Sequence, residues 1–387
     1  MLAIPVDTFR KGNYWLMEDS VVENPYLLLT PGPLSTTRSV KDVMLRDWCT
    51  WDKDYNAIVQ KIRGELLRLA EVDDNEYTTV LMQGSGTFSV ESVITTALPH
   101  DGKVLVAANG AYGQRIAKIA QQAGIDTTIC DFGETSPVDI KTIDEQLRTD
   151  HRITHIAVVH CETTTGMLND IKAIGELTRI QNKIYIVDAM SSFGGIPIPV
   201  DTINADFLIS SANKCIQGVP GFGFIIARRS AIAQLEGQAR SLSLDLYDQW
   251  RVMEEQSGKW RFTSPTHVVR AFARALTELT AEGGVSARYD RYRENHRILV
   301  EGMILLGFKP LLENALQSPI ITAFYNPAHP DYQFEKFYNE LKEKGFVIYP
   351  GKVTDKDTFR IGNIGDIRPE DMTMLIEAIA QSMYWKR

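Results

Sequence analysis

The sequence predicts an α/β protein: a mostly parallel, seven-stranded sheet covered on both faces, followed by a smaller α+β unit towards the C-terminal end. Two patterns lead there. Between residues 77 and 227, short apolar runs alternate with helical stretches of about ten to thirteen residues. Strands that are apolar throughout, rather than at every second residue, belong to sheets buried on both sides. After residue 264 the alternation stops and longer helical stretches take over, which marks a unit of different build.

The first strand is expected at 77–82, followed by a Gly/Ser turn and a helix over 87–98. Strand 104–107 leads into a helix over 112–123, which Gly124 stops. Strand 127–132 and helix 140–147 repeat the unit, then strand 153–160, helix 171–180 and strand 184–187. Strands 207–209 and 222–227 close the series, with Gly221 and Gly223 marking a turn or a close backbone approach. Pro265 then opens a helix over 266–281, and Gly283-Gly284 separates it from a second over 286–306. Strand 320–325, helix 332–344, short strands at 346–349 and 359–361, and a helix from 369 to 384 complete the smaller unit, which residues 26–29 are expected to join. This divides the chain into an N-terminal extension (1–24), a large domain (40–282) and a small domain (25–39 with 283–387).

A chain of 387 residues is too long for one small core and suggests about two domains. Its 44% apolar and 23% charged residues are those of an ordinary soluble globular protein. A net charge of −8, with no Lys/Arg cluster against it, argues against a nucleic-acid surface. No apolar run approaches the ~18–20 residues of a membrane helix. The four cysteines (Cys49, Cys130, Cys161, Cys215) include no C-x-x-C pair. They read as reduced thiols in a cytoplasmic protein, not as a disulfide frame or zinc site. Residues 1–24 carry Asp7, Arg10, Lys11, Glu18 and Asp19 among apolar residues, unlike the basic start and apolar centre of a signal peptide.

Lys214 is the most informative residue. It follows the apolar run of Phe207-Leu208-Ile209-Ser210-Ser211-Ala212-Asn213-Lys214, on small and polar residues that suit the edge of a cleft. The run Lys183-Ile184-Tyr185-Ile186-Val187-Asp188 ends in a carboxylate 26 positions earlier, a spacing that fits one crossover. Ligands of parallel sheets collect beyond the carboxyl ends of the strands, so both side chains are expected at one rim. An amine that can bond to an aldehyde, and a carboxylate that keeps a pyridine nitrogen protonated, are what pyridoxal 5'-phosphate (PLP) chemistry needs. Each alone has a plainer reading: a solvated loop lysine and a helix-capping aspartate.

Other strand ends carry further candidates. Gln83-Gly84-Ser85-Gly86-Thr87 follows a strand and opens a helix, where N–H groups and hydroxyls can cradle a phosphate. It is neither G-x-G-x-x-G nor a P-loop, which disfavours a dinucleotide or ATP. Many such turns bind nothing. Tyr112, in Ala108-Asn109-Gly110-Ala111-Tyr112-Gly113-Gln114-Arg115, either stacks on a flat cofactor or simply starts a helix. The hydroxyls of His160-Cys161-Glu162-Thr163-Thr164-Thr165-Gly166 either meet a ring oxygen or serve the turn. His160 has no partners at metal-ligand spacing and reads as structural, so no metal is expected. Cys215 reads as packing, not as a nucleophile. Arg360, in Phe359-Arg360-Ile361-Gly362-Asn363-Ile364-Gly365, has the planar fork that suits a carboxylate or phosphonate; a surface salt bridge is the competing reading.

In this order, with Pro31-Gly32-Pro33 before them, the motifs resemble the class V aminotransferases of PLP fold type I, from about residue 26 to the C-terminus. The stretch Arg46-Asp47-Trp48-Cys49-Thr50-Trp51-Asp52, with Ser211-Ala212-Asn213-Lys214-Cys215, is similar to the branch of that class acting on 2-aminoethylphosphonate and pyruvate. The resemblance implies PLP as cofactor, Lys214 as its attachment point and proton carrier, and Asp188 at the ring nitrogen. It implies Ser85, Gly86 and Thr87 around the phosphate, Ser211 as a further phosphate or ring contact, Tyr112 over the ring, and Thr163 at its oxygen. Arg360, with Pro31 and Gly32, would face the substrate. The resemblance further implies a homodimer with sites at the interface, Thr263 of Arg261-Phe262-Thr263-Ser264 reaching the neighbouring chain's phosphate. Alanine:glyoxylate or serine:pyruvate amino transfer shares the chemistry and is the nearest alternative. A cysteine desulfurase would need a loop cysteine that is not obvious here. A non-catalytic PLP-binding protein is the reading from another class.

Overall fold

The computed structural model describes residues 24–351, 353 and 355–386. The predicted extension, apart from Asn24, lies outside the described residues. Strand β1 (Leu27–Leu28) and helices α1 (Arg38–Asp42) and α2 (Lys53–Leu69) come first. The alternating series follows: β2 (Tyr77–Gln83), α3 (Gly86–Ala97), β3 (Lys103–Ala108), α4 (Ala111–Gln122), β4 (Asp126–Asp131), α5 (Ile140–Thr149) and β5 (Ile153–Val159). A short hairpin, β6 (Cys161–Glu162) and β7 (Met167–Leu168), precedes α6 (Ile171–Ile180), β8 (Ile184–Asp188), β9 (Phe207–Ser211) and β10 (Phe222–Arg228). Helices α7 (Arg229–Ile232), α8 (Leu246–Glu255), α9 (Thr266–Glu282) and α10 (Gly284–Leu305) lead to β11 (Ile321–Tyr325), α11 (Phe334–Glu343), β12 (Phe346–Val347), β13 (Tyr349–Pro350), β14 (Thr358–Gly362) and α12 (Pro369–Gln381).

The large sheet has seven strands in the order β2-β10-β9-β8-β5-β3-β4. Only β10 is reversed, antiparallel to both of its neighbours. β3, β9 and the bodies of β5 and β8 are buried, whereas the edge strand β4 is largely open to solvent. That matches the apolar runs read from the sequence, since a strand covered by helices on both faces has no polar side. One continuous core joins this sheet to α2, α3, α4 and α9. A separate core gathers Leu29, Leu299, Phe324, Phe337, Ile361 and Trp385. There β11, β14 and β13 pair antiparallel, and β1 pairs with β12 in parallel, setting Leu27–Leu28 beside Phe346–Val347. No described helix is long and apolar enough to cross a membrane.

One expectation about elements needs correction. The strand expected at 346–349 is split between two sheets: Phe346–Val347 pairs with Leu27–Leu28, and Tyr349–Pro350 pairs with β14. Ile348, fully buried, lies between the two strands, and Pro350, lacking an N–H, can sit only at a sheet edge. The crossover from β8 to β9 contains no helix. Residues 189–206 form successive turns, in keeping with Gly194-Gly195, Pro197 and Pro199 in that stretch.

Helix α6 approaches this turn segment so closely that a Cβ at Gly175 would overlap the Ile203 carbonyl oxygen. Gly64, on α2, has open space around its Cβ position. Gly175→Ala is therefore expected to destabilise by about 1–3 kcal/mol, and Gly64→Ala to stabilise by about 0.4–1 kcal/mol. Thermal melting of the two variants checks the contrast, and equal melting temperatures would contradict it.

Candidate active site

The carboxyl ends of β5, β8 and β9 meet at one rim. Parallel pairing sets Asp188 opposite Val159 and Ile209. The Asp188 backbone is pinned because its carbonyl accepts from His160 N at 2.8 Å. Its carboxylate accepts from Met190 N at 2.9 Å. Lys214 comes three residues after β9, in a turn closed by Gln217 N to Lys214 O (2.7 Å) and Gly218 N to Ala212 O (2.9 Å). Gln217 adopts a φ of 66°, and its side chain donates to Tyr292 Oη and Gly365 O, which locks the turn from the smaller unit's side. Lys214 Nζ donates to Pro31 O at 2.5 Å.

A cleft of about 190 Å³ joins these two residues to Ser85, Gly86, Thr87, Tyr112, Arg115, Met190, Ser211 and Asn213. Seven of the twelve predicted site residues are thus brought into one wall. Pro31 and Gly32 adjoin it through Lys214: a Cβ on Gly32 would stand 2.7 Å from Nζ. Arg360 is buried in β14. Its Nε donates to Pro350 O (3.0 Å) and Nη1 to Thr163 O (2.7 Å), and its guanidinium lies 5.1 Å from the centre of the Tyr349 ring. No described carboxylate pairs with it, so the salt-bridge reading fails. Thr263 is exposed, beside the half-exposed Phe262, and lines no part of this cleft. The stretch from Arg46 to Asp52 also contributes no wall; Asp52 caps α2 through Asp54 N.

Burial shifts the central pair in opposite directions. The Asp188 carboxyl is pushed up to about 6, against the pull of the Met190 N–H and of Lys214 and Arg115. The Lys214 amine is pushed down to about 8, with Arg360 adding to the fall. His160 is buried and lowered to about 4 by desolvation; its Nδ1 lies 2.9 Å from Ser192 Oγ. It is neutral and structural, as expected. Burial raises the Cys215 thiol to about 12, and its Sγ donates to Ser191 O, so this thiol packs rather than attacks.

Sequence reading gave Glu162 no role of its own. Its fully buried carboxylate accepts from Gly113 N (2.8 Å) and Tyr112 N (3.1 Å), capping α4 from another strand end. A Cβ at Gly110 would come within 2.6 Å of that carboxylate, which accounts for the glycine. Burial raises Glu162 to about 7. The available signal was an acid and a bare Gly at neighbouring strand ends, legible only once the strand order is known.

The residues present suit a flat ring carrying an anionic arm. Ser85, the N-cap of α3, makes no side-chain cap, which leaves first-turn amides of α3 without the usual side-chain acceptor. Tyr112 offers an aromatic face. Thr163 Oγ1 is buried without a hydrogen-bond partner, a rare condition for a hydroxyl that a bound acceptor would relieve.

This chain belongs to the class-V aminotransferase family, whose model matches residues 41–355. Among curated relatives, a 2-aminoethylphosphonate–pyruvate transaminase of Syntrophobacter fumaroxidans is 62% identical over 94% of this chain and 98% of its own length. Another, of Vibrio vulnificus, is 58% identical over 94% of this chain and all of its own. Among solved structures, pyridoxamine–pyruvate aminotransferase of Mesorhizobium loti superposes with a TM-score of 0.85 at 22% identity, covering 93% of this chain and 92% of that one. Alanine–glyoxylate aminotransferase of a Nostoc species gives 0.85 at 23% identity, covering 98% and 100%. These structures establish the fold expected from the sequence.

With its pKa lowered from the usual 10.5 to about 8, Lys214 is far more often unprotonated at neutral pH than a surface lysine. In protein depleted of cofactor, a small aldehyde followed by borohydride reduction is expected to label Lys214 first, half-maximally near pH 8. Peptide mapping across pH checks this; labelling that follows the surface lysines would contradict it.

Proposed function

We propose that this protein is a PLP-dependent aminotransferase that converts 2-aminoethylphosphonate and pyruvate to phosphonoacetaldehyde and L-alanine, in the breakdown of phosphonates. The observation that carries the reading is the joint burial of Lys214 and Asp188 in one cleft at the ends of adjacent parallel strands. The choice of substrates is supported by the names of relatives 58–62% identical over 94% of the chain.

In this reading Ser85, Gly86 and Thr87 hold the cofactor's phosphate, Ser211 adds a contact to the phosphate or the ring, Tyr112 covers the ring face and Thr163 meets its phenolic oxygen. When bound, the cofactor supplies an aldehyde carbon for the donor's amine and a cationic ring that draws electrons from it. Lys214 Nζ, once free, takes the proton from the carbon bearing the amine and later returns one. Its lowered pKa makes a neutral amine accessible near neutral pH. Asp188 keeps a proton on the ring nitrogen, and its burial strengthens that contact. Arg360 receives the phosphonate and then the carboxylate, which its planar fork accepts in turn. Pro31 and Gly32 border the substrate beside Lys214. Two half-reactions in one site imply ping-pong kinetics.

The assembly is a homodimer in this reading. Support comes from an apolar hollow of about 400 Å³ beside the start of α3, lined by Met82, Phe88, Leu244, Trp260 and Phe262. Thr263, exposed next to Phe262, is then the residue donated to the neighbouring phosphate site. The two larger of three buried clusters support a large domain of 40–282 and a small one of 25–39 with 283–387, with the third packing residues of both together. Four unpaired thiols support a reducing, cytoplasmic setting.

The test is a set of single half-reactions. 2-Aminoethylphosphonate is expected to bleach the visible band of the holoenzyme faster than alanine or serine, and pyruvate to restore it. Faster bleaching by alanine or serine would transfer the assignment to the alternative amino donors. Lys214→Ala is expected to lower kcat by at least ~10²–10⁴-fold with its melting curve preserved. Normal turnover of that variant would end the proposal.

A further inference from the structure

The PLP reading leaves one charge in the cleft without a role. Among the residues lining it, only Lys214 and Arg115 are cationic, and only Asp188 is anionic. Lys214 is committed to the aldehyde end and Asp188 to the ring nitrogen. The phosphate of the cofactor is close to a dianion at neutral pH, and the cradle at Ser85-Gly86-Thr87 offers it amides and hydroxyls but no full charge.

Arg115 stands beside that cradle. Its Nη1 donates to Thr87 Oγ1 at 3.2 Å, and its guanidinium lies 4.9 Å from the centre of the Tyr112 ring. It is half-buried and forms no ion pair with any described carboxylate. It also lies close enough to Asp188 to favour the ionised carboxylate. Tyr112 and Arg115 are three residues apart on α4, so one helix face carries both the ring and the guanidinium. Glu162 fixes the first turn of that helix through Tyr112 N and Gly113 N, which sets where both side chains begin. A half-buried arginine usually turns to solvent or to an acid; this one lies along the wall of the cleft.

We infer that Arg115 is a cofactor-binding residue, the full positive charge that this chain places against the phosphate of PLP beside Thr87. The inference rests on the PLP reading and extends it. The guanidinium stacks on Tyr112 and holds the Thr87 hydroxyl while presenting its remaining N–H groups to the phosphate oxygens. Arg115 therefore couples the group that grips the arm of the cofactor to the group that covers its ring.

The experiment compares two ligands that differ only in the phosphate. Full-length protein depleted of cofactor is titrated with PLP and with pyridoxal, following the visible band and tryptophan fluorescence. Arg115→Gln is expected to weaken PLP by about tenfold to a hundredfold, the weight of a charge-assisted hydrogen bond. Pyridoxal binding should change less than about twofold. Arg115→Lys, which keeps the charge without the fork, should recover part of the loss, and it provides the same comparison if Arg115→Gln yields no folded protein. Equal weakening of both ligands would overturn the inference, because the effect would then lie on the ring or the fold. So would unchanged PLP affinity with a raised KM for 2-aminoethylphosphonate relative to alanine, which would place the cation at the substrate. If the unaltered protein binds neither ligand, the PLP reading itself falls and takes this inference with it.

Discussion

Everything at the site depends on holding an amine and a carboxylate together out of water. Left on the surface, the two would form a screened pair worth ~0–1 kcal/mol, with ordinary acidities. Desolvation at the rim of the sheet is the largest influence on both: it moves Asp188 up to about 6 and Lys214 down to about 8. Neither shift is possible without rigid support, because a flexible loop would let the charges find solvent. The support is backbone. Asp188 is pinned through its carbonyl by His160 N and through its carboxylate by Met190 N, while Lys214 rides on a turn clamped by Gln217. The seven-stranded sheet therefore acts on the chemistry through the fixed positions of three strand ends.

How much of this could be read from the chain follows the range of the interactions. The large-sheet strands and most helices were legible because burial on both faces writes itself locally, as apolar runs. Lys214 and Asp188 were legible because a strand end is a position in sequence as well as in space. Ser85, Gly86, Thr87 and Tyr112 shared that advantage. What stayed hidden depends on distant partners. The split of 346–349 into two sheets follows from where Leu27–Leu28 and β14 lie, which no local pattern encodes. Glu162 caps a helix that starts about fifty residues earlier, a distance at which capping rules for neighbouring residues do not apply.

Arg360 shows how a buried cation can be kept ready. Burial lowers its pKa from the usual value, with Tyr112 and Tyr349 opposing the fall, yet an arginine remains charged under such conditions. A carboxylate partner would have been the usual way to offset that burial, and here backbone carbonyls of Pro350 and Thr163 take its place. The difference has a functional consequence in the proposed reaction. A salt-bridged arginine would have to exchange an internal carboxylate for the substrate's anion at each half-reaction, and exchange back on release. An arginine braced by carbonyls keeps its orientation while its net charge stays uncompensated. It can then meet a phosphonate in one half-reaction and a carboxylate in the next without rebuilding its surroundings. Thr163 supplies one of those carbonyls and also carries a buried, unpartnered hydroxyl. In the proposed reaction this one turn residue would bear on both the substrate's anion and the ring, and the same short piece of backbone would set the positions of Arg360 and of the cofactor.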